Sequence, residues 1–259
     1  MSTNREVRQK LRVGKACLGT WLQIPSPETA EIIARMGYEW AAVDAEHGAF
    51  TRAALPDMFR ALERWGTLPF VRTAGAKPEL IKYALDSGAA GLIFPMIESR
   101  AQLDEAISFS LYPGGEEFPG GRRGVGFCRA NAYGLDFDAH MEPRSGFGRE
   151  TVLVAQIEHI NAVTKLDEIF SHPRLDAYMV GPYDLSASMG LTACFDDPEF
   201  KKTLERIEAK AVQYGISRGY HVVRPDEALL REKIRAGYSF LAYGMDSLFI
   251  QTGGKPPAL

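Results

Sequence analysis

Short apolar runs alternate along this chain with longer stretches in which apolar residues recur at helical spacing. Residues 16–24, carrying Leu18, Trp21 and Leu22, predict a first strand, and Pro25-Ser26-Pro27 stops it. Ser26 before Pro27 and Glu28 is a helix-start signal, because proline at the first helical position sacrifices no hydrogen bond. Ala30, Ile33 and Ala34 continue that helix, with Gly37 as its expected cap. Further strands are predicted over 40–44, 68–71, 91–96, 151–157, 177–180, 216–223 and 240–243. Helices are predicted between them over 51–64, 77–86, 99–111, 162–170, 198–214 and 226–236, with a short one closing the chain. In the first of these helices Leu55, Met58, Phe59 and Leu62 fall on one face. Residues 1–14 read as a helical or irregular lead-in.

Strict alternation implies parallel strands joined by right-handed crossovers. About eight strand–helix pairs in 259 residues fit a single α/β domain over 1–259, a closed (β/α)8 TIM barrel, better than an open sheet. No G-x-G-x-x-G follows the first strand, which weakens a dinucleotide-binding reading. One segment breaks the rhythm. Residues 112–150 are glycine-rich and carry Arg122, Arg123, Arg129, Arg144 and Arg149. Long loops in compact domains are usually functional or disordered. Lying between the fourth and fifth strands, this one is expected to cover the C-terminal mouth of the barrel.

Composition narrows the choice of partner. The net charge is −3, from 30 basic and 33 acidic residues, and neither half is strongly basic, so nucleic acid is a poor candidate. The first fifteen residues lack the apolar core of a secretory signal, and no apolar run approaches the roughly 20 residues of a membrane helix. Cys17, Cys128 and Cys194 are odd in number and far apart, which suggests neither a disulfide framework nor a zinc site. A cytoplasmic protein is expected.

Barrel chemistry sits where strands end. The second strand runs into Asp44-Ala45-Glu46-His47-Gly48, and a carboxylate beside an imidazole can hold one tautomer and raise its basicity. The third strand delivers Arg72, which could stabilise an oxyanion or instead form an ion pair with Asp44 or Glu46. The fifth delivers Gln156 and Glu158, and the sixth Asp184, with Ser186 and Ser188 beyond. Glu158 and Asp184 on neighbouring strand ends would repel unless a cation such as Mg²⁺ or Mn²⁺ lay between them; otherwise each caps a local turn. His47 could alternatively be a ligand of Zn²⁺ or Fe²⁺. Of the other histidines, His159 is expected to start a helix, His221 to pack within a strand, and His140 and His172 to lie in loops. Lys77 and Lys82 read as solvated helix residues.

These pieces resemble the HpcH/HpaI aldolase family, the metal-dependent pyruvate aldolases of the phosphoenolpyruvate/pyruvate barrel superfamily. The resemblance runs from Gly19-Thr20-Trp21 to Tyr243-Gly244. It is carried by Asp44-Ala45-Glu46-His47-Gly48, Val71-Arg72, Phe94-Pro95-Met96, Arg123-Gly124-Val125-Gly126, Gln156-Ile157-Glu158 and Gly181-Pro182-Tyr183-Asp184-Leu185-Ser186. It implies a barrel whose last helix is exchanged with a neighbouring subunit, in a homo-oligomer, a hexamer built as a trimer of dimers. It implies Mg²⁺, Mn²⁺ or Co²⁺ on Glu158 and Asp184, and His47, oriented by Asp44, as acid/base. It further implies Arg72 on the enolate oxygen, Gln156 beside the bound ketoacid, and backbone amides around Tyr183 and Asp184 on its carboxylate. The implied reaction is retro-aldol cleavage of a 4-hydroxy-2-oxoacid, a 2-keto-3-deoxy sugar acid or related dicarboxylate, to pyruvate and an aldehyde through a metal-chelated enolate. No lysine Schiff base is required.

Many relatives have a compact Tyr-Pro-Pro-x-Gly-x-Arg-Gly turn. Here Tyr112-Pro113 is followed by eight residues before Arg122-Arg123-Gly124, so the aldehyde end of the site is expected to differ. A citrate-lyase-type or malyl-CoA-type lyase and an oxaloacetate decarboxylase share the chemistry, although no basic groove for a nucleotide is evident. A barrel that only binds a ketoacid is the reading from a different class.

Overall fold

The computed structural model describes residues 3–142 and 150–254, so Arg144 and Arg149 lie outside the described residues. Eight parallel strands close on themselves: β1 (Cys17–Leu22), β2 (Trp40–Asp44), β3 (Leu68–Arg72), β4 (Gly91–Phe94), β5 (Val152–Ile157), β6 (Ala177–Val180), β7 (Ser217–Val222) and β8 (Phe240–Met245). Around them run α1 (Asn4–Arg12), α2 (Pro27–Ala34), α3 (Leu55–Glu63), α4 (Pro78–Asp86), α5 (Arg100–Ser110), α6 (Phe137–Met141), α7 (Ile160–Thr164), α8 (Leu166–Phe170), α9 (Pro182–Ser188), α10 (Pro198–Tyr214), α11 (Glu227–Arg235) and α12 (Asp246–Gly253).

The expected barrel is therefore present. Ser26 caps α2 as its sequence suggested, accepting from the Thr29 amide at 3.0 Å. The helix stops at Ala34, three residues before Gly37. Two stretches read as one helix are divided. Arg52–Ala54 is a 3₁₀ turn ahead of α3, and Lys165 separates α7 from α8. The lead-in is a helix closed by a reciprocal Thr3–Glu6 capping box. No helix among the described residues is long and apolar enough to cross a membrane.

The core has two layers. Inside the barrel Trp40 stacks on Phe240 at 4.5 Å and on Phe70 at 5.2 Å between ring centroids. Val7 and Leu11 of α1 join that interior cluster from the N-terminal end. Outside, the apolar faces of α2, α3, α4 and α5 cover the strands. The β8–β1 pairing slips by one residue between Gly19↔Ala242 and Trp21↔Met245. Gly244 absorbs the slip with φ +65°, and a Cβ there would lie 2.3 Å from the Phe249 ring.

The N-terminal end is sealed by charge. Buried Arg8 donates to Asp176 at 3.1 Å, Glu150 at 2.6 Å and Glu117 at 2.7 Å. Arg174 adds bonds to Asp176 at 3.0 Å and to the Thr151 carbonyl at 2.8 Å. This network corrects the expected position of the 112–150 segment. Its described part lies at the N-terminal end: Glu117 meets Arg8, Arg123 meets Asp86 at 3.1 Å, and Arg129 donates to the Ser87 carbonyl at 2.8 Å. The segment follows α5 rather than β4, so it leads from a helix end back to a strand start, on the face opposite the mouth. Within this chain it does not shape the aldehyde end of the site. It also contains a 3₁₀ turn (Arg129–Gly134) and α6, where His140 is buried against Tyr112 rather than held in a loop.

Removing Arg8 would leave Asp176 buried with one cation fewer. Arg8→Leu is expected to lower unfolding free energy by about 3 kcal/mol, measured by urea denaturation, with turnover of the folded fraction unchanged. A loss below about 1 kcal/mol would show that the network is only surface pairing.

Candidate active site

At the opposite rim, β2 and β3 pair in register so that their last residues, Asp44 and Arg72, lie side by side. The guanidinium grips the carboxylate with two bonds, Nε to Oδ1 at 2.9 Å and Nη2 to Oδ2 at 2.7 Å. Such forks fix orientation as well as charge. Asp44 also accepts the Glu46 and His47 backbone amides at 3.3 and 3.2 Å and the Gln23 side-chain amide at 3.2 Å. Burial pushes its pKa up, but Arg72 and the amides outweigh burial and hold it below the usual value. Arg72 lies over the Trp21 ring at 5.4 Å, and Trp21 stacks on His221 at 5.0 Å. The His221 Nε2 meets the Gly244 carbonyl at 2.9 Å, and burial lowers its pKa to about 4, so it is a neutral packed ring as expected.

The Asp44–His47 contact takes a different form from the one the resemblance implied. Asp44 holds the backbone of His47, not its ring. The tight turn brings the amide back to the carboxylate and sends the imidazole outward, with its side chain 60% exposed. Among the described residues the carboxylate nearest the ring is Glu46, at 3.9 Å from Nε2. Glu46 also lies 3.3 Å from the Arg72 Nε, so both ion pairs considered for Arg72 are formed.

Glu158 follows β5 directly and is 2% exposed. The Met96 amide donates to its Oε1 at 2.7 Å, from a residue held at φ +51°. Side chains rarely adopt that conformation, and such strain persists where surrounding structure enforces it. Burial, with the fields of Glu46 and Asp184, overcomes the Met96 bond and Arg72 and pushes the Glu158 pKa up to about 7. Glycine is required at 181, since a Cβ would lie 2.1 Å from Glu158 Oε2 and 3.0 Å from Gln156 Nε2. Gln156 is buried, and its Oε1 finds no partner among the described residues.

Asp184 stands exposed in the first turn of α9, a helix that begins where the end of the sixth strand is expected. Asp184 does not cap it; Gly181 occupies the N-cap position. Tyr183 is 64% exposed with its ring edge-on to Phe195. Ser186 and Ser188 are structural: Ser186 Oγ bonds the Tyr183 carbonyl at 2.9 Å, and Ser188 Oγ accepts the Ile160 amide at 2.9 Å. His159 caps α7, and Lys77 and Lys82 are exposed. Gln23 and Asp246 also belong to the rim with no motif to mark them, and Trp21 and Met96, present in the strand and motif quoted above, take a place there that the sequence does not assign. Asp246 could have been found by its place directly after a strand, had β8 been read to Met245.

Of the two carboxylates expected to hold a metal, Glu158 is buried at the end of β5 and Asp184 is exposed in the first turn of α9. Among the described residues no group of three or more His, Cys, Asp or Glu is set to hold a metal. Two carboxylates fit a hard cation that keeps water or takes substrate oxygens as further ligands, and a buried carboxylate with a raised pKa gains most from such a charge.

A closed parallel barrel with ionisable groups gathered on its C-terminal rim defines a barrel enzyme. Residues 18–251 match the HpcH/HpaI aldolase/citrate lyase family model. The chain is 35% identical to a 4-hydroxy-2-oxovalerate aldolase of Novosphingobium aromaticivorans, over 94% of this chain and 89% of that protein. It is 33% identical to a hydroxypyruvate/pyruvate aldolase of Agrobacterium fabrum, over 91% and 85%. The crystal structure of an HpcH/HpaI aldolase/citrate lyase family protein from Burkholderia cenocepacia superposes with a TM-score of 0.88 at 30% identity, covering 96% of each chain. The chain belongs to the HpcH/HpaI aldolase/citrate lyase family and is a carbon–carbon lyase.

The raised Glu158 pKa has a defined sign. The fold prefers the protonated carboxyl, so ionisation costs nothing below about pH 4.5 and its full penalty above pH 7. In metal-free protein at pH 8, Glu158→Gln is expected to raise stability by up to about 3 kcal/mol, with no gain at pH 4.5. Thermal melts at the two pH values check this; an equal gain at both would remove ionisation as the cause.

Proposed function

We propose that this enzyme cleaves a 4-hydroxy-2-oxoacid to pyruvate and an aldehyde, and runs the aldol addition in reverse. The observation that carries the reading is the Arg72 guanidinium fixed by Asp44 beside buried Glu158, with His47 exposed at the same rim. The named activities of the two relatives support it. His47 takes the proton of the 4-hydroxyl as the C3–C4 bond breaks and the aldehyde leaves. The electron pair passes to the 2-oxo oxygen, where the fixed Arg72 charge stabilises the enolate. Protonation at C3 completes pyruvate. Gln156 lies beside the oxoacid, and first-turn amides at Tyr183 and Asp184, which have no partner within a helix, receive its carboxylate. Glu158 and Asp184 would hold Mg²⁺, Mn²⁺ or Co²⁺, which when bound supplies Lewis-acid polarisation of the 2-oxo group. Asp44 serves as an anchor for Arg72 and for the 45–48 turn.

Protein stripped with chelator should release no pyruvate from a panel of 4-hydroxy-2-oxoacids, and Mg²⁺, Mn²⁺ or Co²⁺ should restore release from at least one. His47→Ala is expected to lower kcat by about 10²–10⁴-fold while pyruvate still binds. Release from oxaloacetate alone would replace the aldolase by a decarboxylase, and a His47→Ala enzyme of full activity would remove the assigned base.

We further propose one catalytic barrel domain that works as a homo-oligomer, a hexamer, with its last helix exchanged between subunits. In support, α12 has only eight residues, and Leu18, Tyr220 and Tyr243 on the outside of β1, β7 and β8 are only partly covered. Ile32 on α2, Met36 in the turn after it and Ile250 on α12 are exposed. Light scattering should give about six times the 28.6 kDa chain mass; a monomer at micromolar concentration would refute the assembly.

A further inference from the structure

Asp246 is a buried carboxylate for which neither the fold nor the proposed chemistry has yet given a use. It opens α12 immediately beyond the β8 slip at Gly244. Its Oδ1 accepts the Gln23 amide at 2.9 Å and the Ser247 amide at 2.7 Å, and its Oδ2 accepts the Ile24 amide at 2.9 Å. The Gln23 and Ile24 amides lie where the chain leaves β1. They hold the Gln23 backbone, and so its side chain, over the rim. The Gln23 Nε2 then donates to Asp44 Oδ2 at 3.2 Å, the oxygen that also receives Arg72 Nη2. Ser247, again on α12, donates to the Gln23 Oε1 at 3.2 Å and fixes which way the amide faces. A carboxylate, a backbone and a primary amide thus connect the last helix to the guanidinium through contacts of 3.2 Å or less.

We propose that Asp246 and Gln23 are positioning residues that couple the seating of α12 to the orientation of Asp44, the 45–48 turn and Arg72. The geometry gives each partner a distinct part. Asp246 sets the height of the β1 exit, and Gln23 adds a second donor to the Asp44 Oδ2 that Arg72 Nη2 also holds. Without the Gln23 donor, Asp44 keeps one bond fewer on Oδ2 and gains room to rotate, and the fork and both turn amides move with it. The catalytic consequence rests on Arg72 acting on the reacting oxygen, whereas the structural coupling does not.

The test uses full-length protein with Mg²⁺ and the variants Gln23→Leu, which keeps bulk but removes the donor, and Asp246→Asn, which turns an N–H toward a backbone amide. Amide hydrogen exchange of residues 45–48 is expected to quicken about tenfold in both variants, with residues 117–123 at the far end unchanged. In the cleavage assay, kcat should fall about tenfold with KM within twofold. Unchanged exchange at 45–48 in both variants overturns the coupling. Faster exchange at both ends shows general loosening and overturns it too. Faster exchange at 45–48 alone, with turnover unaffected, keeps the coupling and instead counts against the catalytic part given to Arg72.

Discussion

Asp44 receives five N–H groups: two from Arg72, one from Gln23, and one each from the backbones of Glu46 and His47. The rest of the rim depends on this convergence. A buried ion pair repays its desolvation only when the geometry is good and the remaining lone pairs are also satisfied. Here β2 and β3 provide the geometry through strand register, and the following turn provides the amides. The result is a guanidinium whose direction is settled before any substrate arrives. Preorganised charge of this kind costs no reorganisation when an oxyanion develops. The same bonds explain the turn itself, since Oδ1 draws two consecutive amides inward and leaves the His47 ring in solvent.

Asp44 neutralises Arg72, and that leaves the other carboxylates undercompensated. Glu46, Glu158 and Asp184 all feel one another across the rim, and burial raises the pKa of both Glu46 and Glu158. A carboxylate in this position is relieved by a proton or by a cation. The protein constrains it rather than letting it turn away. The Met96 amide holds one oxygen from a strained backbone, and the absence of a side chain at Gly181 makes room for the other. Strain kept at such a place is what a functional site requires and a stability optimum would remove.

The strand ends were legible in the sequence because buried parallel strands are continuous apolar runs, so a charge marks where each leaves the core. Asp44, Arg72 and Glu158 were placed on that ground alone. Three features were not legible, each for a physical reason. Adjacency of Asp44 and His47 suggested side-chain contact, but a tight turn returns the backbone amide to the carboxylate instead. Its rank between strands points the 112–150 segment to the mouth, whereas the preceding α5 carries the chain to the far face before the segment begins. Asp246 carries no strand-end mark because the slip at Gly244 extends β8 beyond the apolar run, and a bulge leaves no trace in periodicity.

The two ends of the barrel use the same residue types to opposite effect, and the difference is one of pairing. Glu117 at the N-terminal end is pushed up by burial but held by Arg8 and Arg12, and its pKa falls to about 2. Glu158 at the C-terminal end, pushed up by burial and with Arg72 held by Asp44, rises to about 7. Neither value follows from being a glutamate; burial pushes both up, and the outcome follows from how many cations the fold sets against it. At the N-terminal end Arg8, Arg12 and Arg174 meet Glu117, Glu150 and Asp176, so charge there closes the structure. At the rim the count is left open on the negative side, and an open count of charge in a preorganised site is what gives a ligand or a transition state something to complete.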